Sequence, residues 1–271
     1  MKIAPFFAKA SPAAIREGRL GTLAALAALL LSACGNTGNT VSTANTEGLV
    51  TAGKAAVQAA TLSDADVMEL SEKSCAELDS KSKIAAPKSK YAQRLAKITK
   101  SLPKAVDGVT ISYKVYETKE VNAWAMNNGC VRVYSGLMAM MTDDEVRGVV
   151  GHEIGHVALG HSKKSMQVAY AAGAARQVAA ASGNSAVAAL SASDIGAIAE
   201  KLVNAQFSQA QESEADDYSF DLLTAAKLKR EGLITAFEKL AKLGDSNSML
   251  SSHPSSAGRA QHIRERIAAK K

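Results

Sequence analysis

The sequence predicts an α+β domain in which helix is the larger part, and three observations carry that prediction. Aromatic residues make only 4% of the 271-residue chain while alanine is abundant, so the core must be small and aliphatic, which suits packed helices. Several stretches repeat apolar residues at helical spacing. Between positions 109 and 135 the period changes to two and an Asn-Gly turn appears, the mark of a small antiparallel sheet. With 47% hydrophobic residues and a mean hydropathy of -0.04, the chain is neither long-disordered, collagen-like nor a polytopic membrane protein.

Residues 1–19 carry scattered positive charge, 23–31 are an unbroken apolar run of nine, and Leu31-Ser32-Ala33-Cys34 follows at once. This is a signal-peptide pattern over 1–33. Nine residues rise only about 14 Å as a helix, roughly half a bilayer core, which disfavours a permanent span. The small pair before a cysteine resembles the lipobox of bacterial lipoproteins, which makes Cys34 a diacylated N-terminus and membrane anchor; the plainer alternative is a secretory signal that happens to contain a cysteine. Gly35 stands where aspartate would favour inner-membrane retention, so the expected address is the outer membrane, facing the periplasm. Residues 34–60 read as a lipidated start and flexible tether, because Asn, Thr, Ser and Gly cannot bury enough surface to fold alone. The formal charge is +6, and Lys2, Lys9, Arg16 and Arg19 against Glu17 account for half of it. What remains is too small and too dispersed to imply nucleic acid.

Residues 61–271 show no repeat and no internal linker and read as one domain. Asp64–Lys81 looks helical. Pro87 is expected to open a second helix, with Tyr91, Leu95, Ile98 and Leu102 on one stripe and Pro103 as its end. Val109, Ile111, Tyr113 and Val115 then alternate with polar residues as a half-buried strand does. Residues 121–126 and 130–135 form the hairpin, joined by Asn127-Asn128-Gly129, where Asn-Gly supplies positive backbone angles. Thr142-Asp143-Asp144-Glu145 has capping-box form and starts a helix. On its wheel Val146, Val149, Val150, Ile154 and Val157 fall within about 140° of one another, with His152 and His156 on a different face. Gly160 is a plausible stop. The alanine-rich segment 163–205 reads as two helices joined near Gly183-Asn184, for packing or as a lid, and 210–229 and 231–243 as two more, divided near Gly232. With Cys34 lipidated, Cys75 and Cys130 remain as a pair that either forms one disulfide in an oxidising compartment or stays as two buried thiols.

The chemistry lies in His152-Glu153-Ile154-Gly155-His156. Two imidazoles at i and i+4 on a helix project one above the other and can share an ion, and Glu153 can reach water on it. A catalytic zinc needs a third protein ligand and one open position. The spacing HExxHxxGxxH fails, since Leu159 and Ser162 stand where its glycine and histidine belong. His161 would sit 180° from His152 on a continuing helix and reads as a helix-end residue. The acidic run 212–217 is the best source: Glu212 and Asp216 share a face, so Glu212 can bind metal while Asp216 holds a histidine from behind, and Glu214 points away.

HEIGH, followed by ESEAD and then HPSSAGR, resembles the HtpX-like and CAAX-prenyl-protease-like gluzincin metallopeptidases over about 74–267, more narrowly the periplasmic lipoprotein members associated with outer-membrane quality control. The resemblance implies a zincin-like domain with its small sheet beside the active-site helix, one Zn2+ per chain, Glu212 as third ligand and Asp216 as the trailing acid. It makes Asn122-Ala123 an edge strand that receives extended substrate, and His253 of HPxxxxR a transition-state helper or a gate, with Arg259 an ion-pair partner of the acidic helix. Gln209 departs from an Arg common before ExxxD, and the transmembrane helices of the HtpX type are absent. The expected reaction is zinc-dependent hydrolysis of peptide bonds in misfolded envelope proteins, with Glu153 as base. The alternative is an assembly factor or chaperone on the same scaffold, with proteolysis latent. Expected partners are unfolded protein substrates and, through Cys34, the membrane.

Overall fold

The computed structural model describes residues 62–174, 190–243, 249, 252–253 and 256–269. The segments read as signal peptide and tether, Cys34 and the expected Gly183-Asn184 turn lie outside the described residues. In order, the chain forms α1 (Asp64–Lys81), α2 (Lys90–Thr99), β1 (Ala105–Val106), β2 (Val109–Thr110), β3 (Ser112–Tyr116), β4 (Ala123–Ala125) and β5 (Cys130–Tyr134). Among the described residues these helices follow: α3 (Ser135–Met140), α4 (Asp143–Ala158), α5 (His161–Ala174), α6 (Ala192–Val203), α7 (Gln209–Ala225), α8 (Glu231–Ala241) and α9 (Ser256–Ala269). Helix dominates, as composition requires. No described helix is long and apolar enough to cross a membrane.

Reciprocal caps start the main helices: Ser63 with Asp66 at α1, Thr142 with Glu145 at α4, and Ser208 with Gln211 at α7. Helix α2 begins later than its proline implied. Pro87 lies in the preceding turn and the Ser89 side chain accepts from Ala92 N–H, so the hydroxyl cap sets the start. Its stripe behaves as read, with Leu95, Ile98 and Leu102 buried and Tyr91 packed on the same core. The division between the two late helices also moves: α7 ends at Ala225 and Lys227 takes a positive φ of 56°, while Gly232 lies inside α8. That glycine serves close approach instead, since a Cβ there would stand 2.5 Å from the Asp144 carbonyl oxygen.

The sheet has order β3-β5-β4. Strands β4 and β5 form the expected antiparallel hairpin, whereas β3 pairs with β5 in parallel, Ser112 opposite Cys130 through Tyr116 opposite Tyr134. The turn differs from a two-residue Asn-Gly hairpin, for only Gly129 has positive φ (76°) and Asn128 does not. Gly129 N–H donates to Met126 O at 2.9 Å and Met126 N–H to Cys130 O at 3.0 Å, the closure of a three-residue loop ending in a left-handed glycine. Residue 111 separates β2 from β3, so the alternating run is two strands in two sheets.

Helix α4 packs on this sheet through Val146, Val149, Val150 and Ile154, which join Val131, Val133, Leu137, Phe220, Leu233 and Phe237 in the main core. Its other side is not solvent. Twelve of its sixteen residues are buried because α7 lies against it. The approach is close enough that a Cβ at Gly151 would stand 2.5 Å from Ser219 Oγ, and that hydroxyl donates to Gly148 O at 2.9 Å. A histidine face turned away from one core is thus enclosed by a second helix.

A separate polar node ties α1 to the sheet. Cys75 and Cys130 form a disulfide with their Cα atoms 6.5 Å apart. Beside it Arg132, 2% exposed, uses all five of its N–H groups: on both Asp79 oxygens (2.8 and 2.9 Å), on the carbonyls of Ser112 and Val131 (2.8 and 2.9 Å), and on Cys75 Sγ (3.1 Å).

Candidate metal centre and active site

The last two turns of α4 bring His152 and His156 one above the other, with their Nε2 atoms 3.0 Å apart. Helix α7 lays Glu212 across them: Oε1 is 3.3 Å from His156 Nε2 and Oε2 is 3.6 Å from His152 Nε2. His253 closes the group, its Nδ1 2.9 Å from Glu212 Oε1 and 3.3 Å from His152 Nε2. These four ligand atoms lie within 4.8 Å of one another, and every one of the four residues is at most 3% exposed.

The far side of each ring is held too. His152 Nδ1 stands 2.8 Å from Asp216 Oδ1, and Asp216 in turn accepts from Arg259 Nε at 2.8 Å and Nη2 at 2.6 Å. Arg259 reaches Glu212 Oε2 with Nη1 at 2.5 Å and lies over the Phe237 ring, 4.1 Å from its centroid. His156 Nδ1 meets His161 Nδ1 at 3.0 Å, and Phe207 stacks on the His156 ring at a centroid distance of 3.8 Å.

Whether this group suits a cation can be decided from its protons. Burial, reinforced at His152 by Arg259 and at His156 by His152, lowers both imidazoles, so they are neutral at pH 7, as ligation needs. His152 donates from Nδ1 to Asp216, which leaves its Nε2 a bare lone pair facing another ring nitrogen at 3.0 Å. When His156 Nε2 is unprotonated too, as ligation requires, a cation between the two nitrogens satisfies both lone pairs. Donors held 2.0–2.1 Å from a tetrahedral zinc are about 3.3 Å apart, and the separations here bracket that value. Burial would lower His253, but the carboxylates of Glu212 and Glu153 outweigh it and raise the ring, a further sign that the centre calls for positive charge. Burial likewise opposes ionisation of Glu212, yet His253 and Arg259 hold it well below the carboxylate range. The residues fit zinc.

Glu153 is different in kind. Its Oε1 is buried without a hydrogen-bond partner, and its nearest cationic group is His253 Nε2 at 3.5 Å. Burial pushes its carboxyl up to about 7. A carboxyl with one unbonded oxygen, poised near neutrality beside the convergent donors, is the equipment of a general base.

Of the residues singled out from the sequence, the fold brings together His152, Glu153, His156, Glu212, Asp216, His253 and Arg259. Asn122 and Ala123 stand apart at the start of β4, where Asn122 Oδ1 accepts from Ala123 N–H at 2.9 Å. Cys75 and Cys130 belong to the node by α1. Three residues of the centre escaped the reading. His161 is 5% exposed, because Gly160 (φ 72°) ends α4 and its successor opens a new helix beside His156. Glu214 does point outward, its side chain 61% exposed, yet its Oε2 is 3.0 Å from His161 Nε2. Phe207, between α6 and α7, carried no local signal.

Donors that require a cation, set against a base that requires a proton, define a metallopeptidase of the zincin-like class. Sequence comparison places the chain within that class: residues 85–267 match peptidase family M48, and the chain belongs to that family. It is 56% identical to Metalloprotease LoiP of Escherichia coli (strain K12) over 227 residues, covering 83% of this chain and 90% of that protein. Metalloprotease YcaL of the same organism is 53% identical over 235 residues, covering 84% and 92%. A shorter match joins 50 residues to Protease HtpX of Shewanella frigidimarina (strain NCIMB 400) at 48% identity, 17% of either chain.

Proposed function

We propose that this metalloendopeptidase cleaves extended segments of misfolded or unassembled envelope proteins, and that it does so from the outer membrane, facing the periplasm, held by lipid on Cys34. The observation that carries the catalytic reading is Glu153 Oε1, buried and unbonded beside the convergent His152, His156 and Glu212. When bound, zinc polarises a substrate carbonyl and makes water acidic enough to lose a proton near neutral pH. The Glu153 carboxylate takes that proton at Oε1 and returns it to the departing amine, two transfers that a group near pKa 7 performs with little bias. Arg259 and Asp216 keep Glu212 and His152 aimed inward throughout.

Broad selection of unfolded chains is supported by the position of β4 at the edge of the sheet. Asn122 O and Met126 N–H bond to β5, so the backbone groups of Ala123 and Ala125 face away from it. Ala123 N–H is held by Asn122 Oδ1 and Ala125 O by Ser162 Oγ at 3.2 Å, so an added strand would use Ala123 O and Ala125 N–H, through hydrogen bonds that ignore side-chain identity. The lipid anchor is supported by Leu31-Ser32-Ala33-Cys34 after the apolar run, and an oxidising compartment by the Cys75–Cys130 disulfide. The names of the two long matches, both metalloproteases, agree with peptide-bond hydrolysis.

A second reading, an assembly factor with latent proteolysis, draws on His253. With its Nδ1 among the donors and the whole group at most 3% exposed, a substrate carbonyl enters only after His253 moves aside. Glu153→Gln separates the two readings. It should lower cleavage of an unfolded protein by about 10²–10⁴-fold while zinc content stays at one per chain. Undiminished cleavage removes Glu153 as the base; lost cleavage with an unchanged envelope phenotype favours the assembly factor.

A further inference from the structure

The two metal-facing imidazoles are braced by unlike partners. Behind His152 stands a carboxylate, Asp216, at 2.8 Å, whereas behind His156 stands another imidazole, His161, at 3.0 Å, with Glu214 on its far side. We propose that His161 and Glu214 are positioning residues for His156: a three-member chain that fixes which way its ring faces and which nitrogen keeps the proton.

The argument starts from the ring's freedom. Phe207 lies against the His156 ring with an interplanar angle of 18°, which fixes the plane but not the edge, because a half-turn within that plane leaves the stack intact. The half-turn exchanges Nδ1 with Cδ2 and Nε2 with Cε1, and the turned ring would offer carbon to the metal. His161 breaks the tie. Its Nδ1, 3.0 Å from His156 Nδ1, rewards only the ring orientation that puts nitrogen there. Proton positions then follow one from the next. For Nε2 of His156 to present a lone pair inward, its proton sits on Nδ1 and is donated to His161 Nδ1, which must be bare. The His161 proton is therefore on Nε2, 3.0 Å from Glu214 Oε2, an acceptor that cannot donate when ionised. The reverse order would aim a His156 N–H at His152 Nε2 and block the donor pair.

Chain geometry makes this arrangement available at little cost. Gly160, with φ 72°, ends α4, and His161 turns back over the last turn of the helix it has just left. Its ring is enclosed at 5% exposure, while Glu214 reaches it from the outer face of α7. Buried hydrogen bonds behind metal-binding histidines set tautomer and orientation, and losing one weakens metal affinity by about 10–100-fold.

The inference rests on zinc being held by His156 Nε2, and its test is arranged so that the two failures differ. Zinc affinity is measured by competition with a chromogenic chelator on the full folded protein. His161→Phe keeps a ring and its packing but removes the acceptor, and should weaken zinc by about 10–100-fold. His161→Asn places an amide oxygen near the lost Nδ1 and should stay within about 3-fold of the parent, while Glu214→Ala should weaken binding by about 3-fold, being exposed. Affinity within about 2-fold of the parent in His161→Phe, or an equal loss in His161→Asn, overturns the relay. If Glu212→Ala also leaves zinc binding untouched, the metal site itself is wrong. Should His161→Phe fail to fold, long-range 1H–15N spectra of the zinc-free parent decide: protons on His156 Nδ1 and His161 Nε2 are expected, and a proton on His161 Nδ1 refutes the chain.

Discussion

Two clusters of buried charge in this molecule are built on opposite terms. Around Arg132 every guanidinium N–H has an acceptor and both Asp79 oxygens are shared among Arg132, Tyr116 and Lys114. Around His152 and His156 two ring nitrogens face each other at 3.0 Å beside the Glu212 carboxylate, and Glu153 Oε1 has no hydrogen bond. A satisfied network holds elements in place and asks for nothing more. An unsatisfied one costs stability and is kept where a ligand or a proton completes it. The disulfide lies with the first cluster, so the covalent tie reinforces the part that already closes on itself and leaves the metal centre to be completed from outside.

The largest effect expected from breaking this contrast comes at the unsatisfied cluster. Glu212→Ala removes the one carboxylate among three ring nitrogens, and kcat/KM should fall by at least about 1,000-fold, the several kcal/mol that a catalytic metal is worth. Zinc should raise the unfolding temperature of the parent and no longer raise that of the variant, because only a ligand that binds the folded state shifts the equilibrium. An undiminished zinc-dependent rise would mean that zinc is not held by Glu212 and that this site is wrong. The satisfied cluster should respond in the other currency. Asp79→Ala strands Arg132, at 2% exposure, without its counter-charge and should cost about 3–5 kcal/mol in urea unfolding, with zinc affinity of the folded fraction unchanged. A cost under about 1 kcal/mol would place the pair with ordinary surface ion pairs and dissolve the contrast.

How much of each cluster was legible in the sequence follows the range of the interactions. HExxH and ESEAD each repeat within one helix turn, so His152 with His156 and Glu212 with Asp216 could be read as shared faces before any fold was known. The capping boxes that start α1 and α4 are just as local. His161 was misplaced for a definite reason: the 100° wheel was continued past Gly160, although that glycine ends the helix, and a wheel position has no meaning beyond the break. Parallel pairing of β3 with β5 joins strands across the intervening β4 and leaves no trace in either strand's alternation. Asp79 and Arg132 meet over 53 positions and were not anticipated at all. Nothing in either segment distinguishes a charge bound for a buried ion pair from one bound for water.

The smallest expected effect sharpens the contrast by acid. Burial would raise the Asp79 carboxyl, but hydrogen bonds from Arg132, Lys114 and Tyr116 outweigh it and hold it at about 2. An unfolded aspartate titrates near 3.9, so the unfolded chain binds this proton first as pH falls. The folded state therefore gains stability from Asp79 that is fully present above about pH 4 and is lost as pH drops towards 2. The difference of nearly two pH units corresponds to about 2 kcal/mol. Zinc-free protein with chelator present isolates this contribution, because protonation of His152 and His156 no longer competes with metal. Unfolding free energies measured at pH 4 and pH 2 should differ by about 2 kcal/mol more in the parent than in Asp79→Asn, which has no carboxylate to titrate. Parallel pH curves for the two proteins would mean that Asp79 is not held ionised by the node, and that the arginine is satisfied without it.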